Sequence, residues 1–229
     1  MTQAHRLWAV GIGSSALLAI VSFYVEGAQI LHWISKPLTT LLILMMTLRR
    51  GVAGTYRRWI VIGLLWSTLG DVFLMLPGDR FIPGLSSFLL AHLAYLAAFC
   101  TRSPWAARSG PYLVYALISG SVIVLLWSHI PSALKLPVAA YVLALSAMAA
   151  QAAVCWRVHR ERATICAAAG GALFLFSDSV IAINRFAWPF ESSKAVVLVS
   201  YWAAQWLIAS SVPPVSRASA GTEGQYPPR

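Results

Sequence analysis

Eight apolar segments, each about long enough to cross a bilayer, restrict the possible folds of this chain more than any other feature. A transmembrane helix needs about 20 mainly apolar residues. The qualifying segments are Leu7–Tyr24, Ile30–Leu48, Trp59–Leu76, Phe81–Phe99, Pro111–His129, Leu136–Trp156, Ala163–Ile183 and Ala195–Val212. Because backbone polar groups must be hydrogen-bonded inside a bilayer, such segments form helices. The sequence therefore predicts an all-α, polytopic membrane protein whose residues 1–212 form one domain of eight transmembrane helices.

The composition excludes an ordinary soluble protein and argues against a nucleic-acid-binding one. Hydrophobic residues make up 59% of the chain and charged residues only 10%, against about 25% charged residues in soluble domains. The net charge is +10, but the basic residues lie in short clusters between apolar segments, as in loops retained in the cytoplasm. We therefore expect the lipid bilayer, and no nucleic acid, as a partner. The sequence does not define an oligomeric state.

The distribution of basic residues between alternate loops predicts the orientation. One side carries Arg6, Arg49, Arg50, Arg57, Arg58, Arg102, Arg108, Arg157, Arg160, Arg162, Arg217 and Arg229. The other side carries Lys36, Arg80, Lys135, Arg185 and Lys194. The side with twelve basic residues is predicted to face the cytoplasm, because basic loops are retained there. Both termini lie on that side, and we expect the membrane to be a bacterial inner membrane. Residues 213–229 are rich in Pro, Gly and Ser and are predicted to form a disordered cytoplasmic tail.

An internal repeat relates the third and fourth segments to the seventh and eighth. The first copy reads Gly70-Asp71-Val72-Phe73, then Arg80-Phe81, then a helix with His92 and Tyr95. The second reads Ser177-Asp178-Ser179-Val180, then Arg185-Phe186, then a helix with Tyr201 and Gln205. Four helices in each half indicate a parallel repeat about an axis along the membrane normal, and binding sites form where such halves meet.

Polar residues from five segments fall at a similar depth in this topology. Asp71 follows Arg58 by thirteen residues and Asp178 follows Arg162 by sixteen, so at 1.5 Å per residue both carboxyl groups reach the outer half of the bilayer. The other polar residues predicted near that depth are Lys36, His92, Tyr95, Asn184, Arg185, Tyr201 and Gln205. An acidic residue inside a membrane costs at least a few kcal/mol unless it is paired or hydrated. We therefore predict a functional site around Asp71 and Asp178.

Structural roles for the same residues remain open at this stage. Asp178 can form an ion pair with Arg185 or Lys36, and Asp71 can stabilise a helix end near Pro77. His92 can be a packing histidine, while Tyr201 and Gln205 can be ordinary interhelical hydrogen-bonding groups. We expect no metal, because a zinc hydrolase normally shows three protein ligands and only His92 lies well inside a polar segment.

The chain resembles the YhhN/TMEM86 family of lysoplasmalogenase-like membrane proteins. The residues that carry the resemblance are Lys36-Pro37, Leu69-Gly70-Asp71-Val72-Phe73-Leu74-Met75, Phe88-Leu89-Leu90-Ala91-His92-Leu93-Ala94-Tyr95, Gly171-Ala172-Leu173-Phe174-Leu175-Phe176-Ser177-Asp178, Asn184-Arg185-Phe186 and Tyr201-Trp202-Ala203-Ala204-Gln205-Trp206-Leu207-Ile208. Their order and spacing extend from the second segment to the eighth. The resemblance implies eight helices and hydrolysis of the vinyl ether bond of a lysophospholipid, lysoplasmalogen, to a fatty aldehyde and a glycerophospho-alcohol, with no cofactor.

The polar residues that the topology places at a similar depth suit that reaction. A vinyl ether is cleaved by protonation of carbon followed by attack of water, and a pair of carboxyl groups performs comparable chemistry in glycoside hydrolysis. We expect Asp71 and Asp178 to be the catalytic acid/base pair, with His92 or Tyr95 orienting a carboxylate or the water. Tyr201 and Gln205 would hold the ether oxygen or the glycerol hydroxyl. Lys36 and Arg185 would bind the phosphate at the outer edge, where Asn184 also lies.

Two other classes of protein use membrane-buried aspartates. A proton-coupled transporter or lipid-binding protein fits the carboxyl groups and the repeated halves equally well. An aspartyl intramembrane protease fits poorly, because Thr68-Leu69-Gly70-Asp71 lacks the first glycine of a Gly-x-Gly-Asp motif and Ser177 stands where a tyrosine is expected before Asp178.

Overall fold

The computed structural model describes residues 3–51 and 53–213, and within these ranges all regular secondary structure is helical. The helices are α1 (Gln3–Tyr24), α2 (Gln29–Arg49), α3 (Thr55–Met75), α4 (Phe81–Cys100), α5 (Ser109–Leu126), α6 (Ser132–His159), α7 (Arg162–Phe186) and α8 (Ser193–Ser210). Each predicted segment corresponds to one helix, so the predicted all-α membrane fold is confirmed. The predicted tail, apart from Pro213, lies outside the described residues.

Seven of the eight helices, α1 to α7, are long and apolar enough to cross a membrane. The eighth, α8, has 18 residues and carries the polar side chains of Lys194, Tyr201 and Gln205. Tyr201 and Gln205 are buried against neighbouring helices rather than facing lipid. The polarity of α8 therefore follows from its place inside the bundle, where it packs against α7, α2 and α1.

The packing order of the helices is nearly the same in the two halves. In the first half α1 packs on α2, α2 on α3 and α3 on α4, while in the second half α5 packs on α6, α6 on α7 and α7 on α8. Across the halves, α8 packs on α2 as α4 packs on α6. This order is the one that a parallel repeat requires, although the repeat itself stays a prediction. The halves differ at their edges, because α1 contacts α8 whereas α4 and α5 make no close backbone contact over the described residues.

Pro37 lies in the interior of α2. The helix begins at Gln29, which makes Pro37 its ninth residue. Its missing N–H therefore removes a helical hydrogen bond to the Trp33 carbonyl. The second half has a comparable feature, since Pro137 lies inside α6.

Close approach of α7 and α8 depends on a glycine. A Cβ atom at Gly170 would lie 2.7 Å from Ile208 Cγ1 and 2.9 Å from the Ala204 carbonyl oxygen. Small residues allow membrane helices to approach closely and pack by van der Waals contact. Gly170 therefore sets how closely α8, which carries Tyr201 and Gln205, packs on α7.

We expect Gly170→Ala to destabilise the protein by about 1–3 kcal/mol, the usual cost of overpacking a close contact. The matched control is Gly120→Ala in α5, where a Cβ atom would meet nothing within 4 Å. The thermal unfolding midpoint in detergent should fall for Gly170→Ala and stay the same or rise slightly for Gly120→Ala. Equal midpoints for the two variants would contradict the proposed close contact.

Candidate active site

Asp71 lies in the last two turns of α3 and is held by side chains from α2 and α8. Its side chain is only 2% exposed. Lys36 Nζ lies 3.5 Å from Oδ1, and Thr40 Oγ1 donates a hydrogen bond of 2.8 Å to Oδ2. The Tyr201 hydroxyl donates a second hydrogen bond of 2.8 Å to Oδ2. A buried carboxylate is stable only when it is both charge-paired and hydrogen-bonded, and Asp71 meets both conditions. It does not stabilise the helix end near Pro77.

A chain of hydrogen bonds behind Tyr201 fixes the direction of its hydroxyl group. Gln205 Nε2 donates to the Tyr201 oxygen at 3.2 Å, and the Tyr95 hydroxyl donates to Gln205 Oε1 at 2.6 Å. On the other side, Trp202 Nε1 donates to Thr40 Oγ1 at 3.3 Å. Gln205 and Tyr95 are completely buried. They therefore contact Asp71 only through Tyr201, and neither can hold the ether oxygen directly.

Asp178 lies in α7 and has a different environment. The Tyr141 hydroxyl of α6 donates a hydrogen bond to its Oδ2. Within the described part of the chain no lysine or arginine forms an ion pair with Asp178. The two alternative partners are engaged elsewhere, since Lys36 pairs with Asp71 and Arg185 pairs with Asp79 at 3.1 Å. An ion pair as the structural role of Asp178 is therefore wrong.

One narrow cavity of about 110 Å³ is lined by both aspartates. Lys36, Tyr141 and Tyr201 also line it. Its other walls are almost entirely apolar and come from α3 to α8, with residues such as Phe88, Leu126, Leu145, Val197 and Leu198. Two carboxyl groups, one with a cation beside it and one without, thus face a common apolar space. Such a space can hold a hydrocarbon chain with a reactive group near the carboxyls.

A wider polar cavity of about 560 Å³ adjoins the narrow one, and we call it the vestibule. The residues that line both spaces are Lys36, Leu74, Phe81, Ile181, Val197 and Leu198. The polar side chains of the vestibule are Ser22, Glu26, Gln29, His32, Lys36, Asn184, Arg185, Ser193 and Lys194. A molecule with an apolar tail and a polar head can therefore occupy the two spaces together.

The residues expected to bind phosphate lie in the vestibule but already have protein partners. Lys36 is bonded to Asp71. The Arg185 guanidinium pairs with Asp79 and lies 4.0 Å from the centre of the Phe81 ring. Asn184 Oδ1 accepts a hydrogen bond from the Phe190 amide at 3.0 Å and so holds the loop after α7. Lys36 and Arg185 thus line the vestibule, but each already forms an ion pair with an aspartate.

His92 forms no hydrogen bond with either carboxyl group. It is fully buried, and neither of its ring nitrogens has a hydrogen-bond partner among the described residues. Its ring packs edge-on against Phe174, with centroids 4.9 Å apart, and against Tyr141 at 5.2 Å. The geometry therefore gives His92 a contact with the tyrosine that binds Asp178, rather than with the carboxylate itself.

Two residues of the site were not found from the sequence. Thr40 lies one helical turn after Lys36 and was a detectable candidate. Tyr141 lies in α6, from which no site residue was predicted. The repeat makes α6 the counterpart of α2, and both helices contain an internal proline, Pro37 and Pro137. Matching these prolines would have drawn attention to Tyr141. The described residues contain no group of three or more potential metal ligands.

Comparison with known proteins gives a consistent result. The model of the YhhN family matches residues 31–212. The chain is 36% identical over 162 residues to a Mycobacterium bovis protein named "Lysoplasmalogenase", covering 68% of this chain and 60% of the relative. It is 36% identical over 156 residues to human "Lysoplasmalogenase TMEM86A", covering 66% of this chain and 64% of the relative. An Escherichia coli O6:H1 protein named "Uncharacterized membrane protein YhhN" is 24% identical over 207 residues, 90% of this chain and 99% of the relative.

The matched regions therefore span 60% and 64% of the lengths of these two lysoplasmalogenases. No solved structure is significantly similar to the chain. The family match covers seven of the eight helices completely or nearly so and includes both aspartates, Lys36, Tyr141 and Tyr201. This integral membrane protein belongs to the YhhN family.

Proposed function

We propose that this protein is a membrane-embedded hydrolase that cleaves the vinyl ether bond of lysoplasmalogen. The observation that carries the proposal is the narrow apolar cavity lined by both Asp71 and Asp178. Its apolar walls suit the alkenyl chain of a lysophospholipid, and the adjoining vestibule suits a polar head group. Relatives named lysoplasmalogenase share about a third of the aligned residues. We also propose a bacterial inner-membrane location with both termini in the cytoplasm.

The reaction adds water across the vinyl ether and then breaks a carbon–oxygen bond. A carboxylic acid gives its proton to the vinyl carbon remote from oxygen, which leaves an oxocarbenium ion at the carbon attached to oxygen. Water attacks that carbon and loses a proton to the second carboxylate. The resulting hemiacetal collapses to the fatty aldehyde as the glycerol oxygen takes up a proton. A positioned acid and base typically contribute a factor of about 10² to 10⁴ each.

The environments of the two aspartates suggest their roles. Asp71 has the Lys36 ammonium at 3.5 Å and two hydroxyl donors, so a negative charge on it is compensated. Asp178 has a hydroxyl donor and no cation, and an uncompensated buried charge is costly. We assign Asp178 as the acid that protonates carbon. Asp71 is the carboxylate that stabilises the cation and accepts the proton from water.

The other predicted residues take supporting roles in this proposal. Tyr201, held by Gln205 and Tyr95, keeps the Asp71 carboxylate in place. His92 packs against the Tyr141 ring and restricts its movement. At the head-group end, Lys36, Asn184 and Arg185 shape the vestibule.

Replacing either aspartate with asparagine should lower the rate of aldehyde release at least about 100-fold, because each variant removes one proton-transfer group. The measurement is single-turnover and steady-state assay of the purified protein, with the thermal unfolding midpoint as the check on folding. Asp79→Asn is the matched control, since Asp79 is exposed and pairs with Arg185 outside the narrow cavity. Near-normal activity in Asp71→Asn or Asp178→Asn would refute the proposed mechanism.

Tyr141→Phe should lower turnover about tenfold, since it removes one hydrogen bond to Asp178 and keeps the ring that packs on His92. The control is Tyr112→Phe, which removes a comparable hydrogen bond, from Tyr112 to Gln151, away from the cavity. The steady-state rates of the two variants should differ. If both variants retain the full rate, Tyr141 has no part in positioning Asp178.

The substrate is tested with three lysophospholipids that differ only in the bond to the long chain: vinyl ether, ester and saturated alkyl ether. We expect aldehyde from the vinyl ether alone, because the saturated ether has no double bond to protonate. Mass spectrometry of the products gives the answer. Fatty acid released from the ester would indicate a different hydrolase. Uptake into sealed vesicles that follows a proton gradient, with no product formed, would favour the transporter.

A further inference from the structure

Three basic side chains line the vestibule. Its charged lining residues, apart from the histidine, are Glu26, Lys36, Arg185 and Lys194. A basic side chain that has no carboxylate partner in such a space favours an anionic occupant. A lysophospholipid with its chain in the adjoining apolar cavity would place its phosphate group in the vestibule, so a basic residue there would recognise that group.

Lys194 differs from the other two cations. Lys36 forms an ion pair with Asp71, and Arg185 forms one with Asp79. Over the ranges that the structure describes, Lys194 has no carboxylate at ion-pair distance. Its ammonium group lies 5.2 Å from the centre of the Phe23 ring, a cation–π contact that holds the side chain without neutralising it. Lys194 is exposed to the vestibule and can therefore bind an anion.

The position of Lys194 along α8 matches the layout of a lysophospholipid. Lys194 is the second residue of α8, and Tyr201, which binds Asp71, follows it by two turns, or about 10 Å of rise. Val197 and Leu198 lie between them and line both cavities. The N-terminal end of α8 also favours negative charge.

We propose that Lys194 binds the phosphate group of the lysophospholipid in the vestibule, with Phe23 holding its ammonium in place. This assignment rests on the proposed function, and it makes Lys194 the residue that distinguishes lysophospholipids from neutral lipids with the same chain. Lys36 stays with Asp71 in the catalytic network, and Arg185 stays with Asp79 at the rim. The site thus separates a cation for chemistry from a cation for recognition.

The test compares Lys194→Met with Lys135→Met in the purified full-length protein. Lys135 is a suitable control because it also lies in the first turn of its helix over an aromatic ring, Trp127, but lines neither cavity. For alkenyl-glycerophosphoethanolamine, Lys194→Met should raise KM about tenfold with little change in kcat, as expected for loss of a charged contact. For the phosphate-free alkenylglycerol, KM should not change. Lys194→Arg should restore most of the affinity for the phospholipid.

A binding measurement separates this proposal from the proposed reaction. The saturated alkyl-ether lysophospholipid has no vinyl ether to cleave, and its Kd should rise about tenfold in Lys194→Met, with no change for the phosphate-free alkylglycerol. If these Kd changes are found but the natural protein releases no aldehyde, the phosphate site is supported and the hydrolase is refuted. Aldehyde release with equal Kd values for Lys194→Met and the natural protein would keep the hydrolase and refute the phosphate site. Binding of inorganic phosphate alone that depends equally on Lys194 would identify a free-anion site and overturn the lipid assignment.

Discussion

The buried ion pair between Lys36 and Asp71 is the interaction on which the centre of this protein depends. The side chains of Lys36 and Asp71 are 10% and 2% exposed, so loss of either one leaves an uncompensated charge inside an apolar bundle, at a cost of several kcal/mol. Thr40 and Tyr201 occupy further acceptor positions on the carboxylate. Separation of α2, α3 and α8 would break all of these contacts together. The same contacts that stabilise the bundle also hold the Asp71 carboxyl group at the wall of an apolar cavity.

The two halves of the bundle share a packing order but differ in chemistry. In one half the aspartate on the third helix meets a lysine from the second helix, and in the other the aspartate on the seventh meets a tyrosine from the sixth. When two carboxyl groups divide the acid and base roles between them, as in the proposed mechanism, their environments must differ. Two carboxyl groups in identical environments would have the same tendency to hold a proton, and neither would be set apart as the acid. In that mechanism, Lys36 beside Asp71 and Tyr141 beside Asp178 provide the difference.

The fold could be predicted almost completely from the sequence because length and apolarity are enough to define membrane helices. All eight helices appear, with ends that differ by at most four residues from the predicted ones. The depth of the polar residues could be estimated from helix rise alone, and the aspartates do line one cavity. Partners could not be predicted, since a rise per residue does not give the rotation of one helix against another. For this reason the sequence did not reveal that Arg185 forms its ion pair with Asp79 rather than with Asp178. Nor did it reveal that Gln205 donates its hydrogen bond to Tyr201 and does not line the cavity.

Tyr201 and its neighbours on α8 have a consequence for the synthesis of the protein. They lie within the last helix of the chain that the structure describes, yet they bind a carboxylate on the third. Seven helices are synthesised before the hydroxyl that holds Asp71 is made. Until then Asp71 has only α2 to balance its charge. The nascent protein therefore completes the hydrogen bonds of Asp71 only when α8 packs beside α2 and α3.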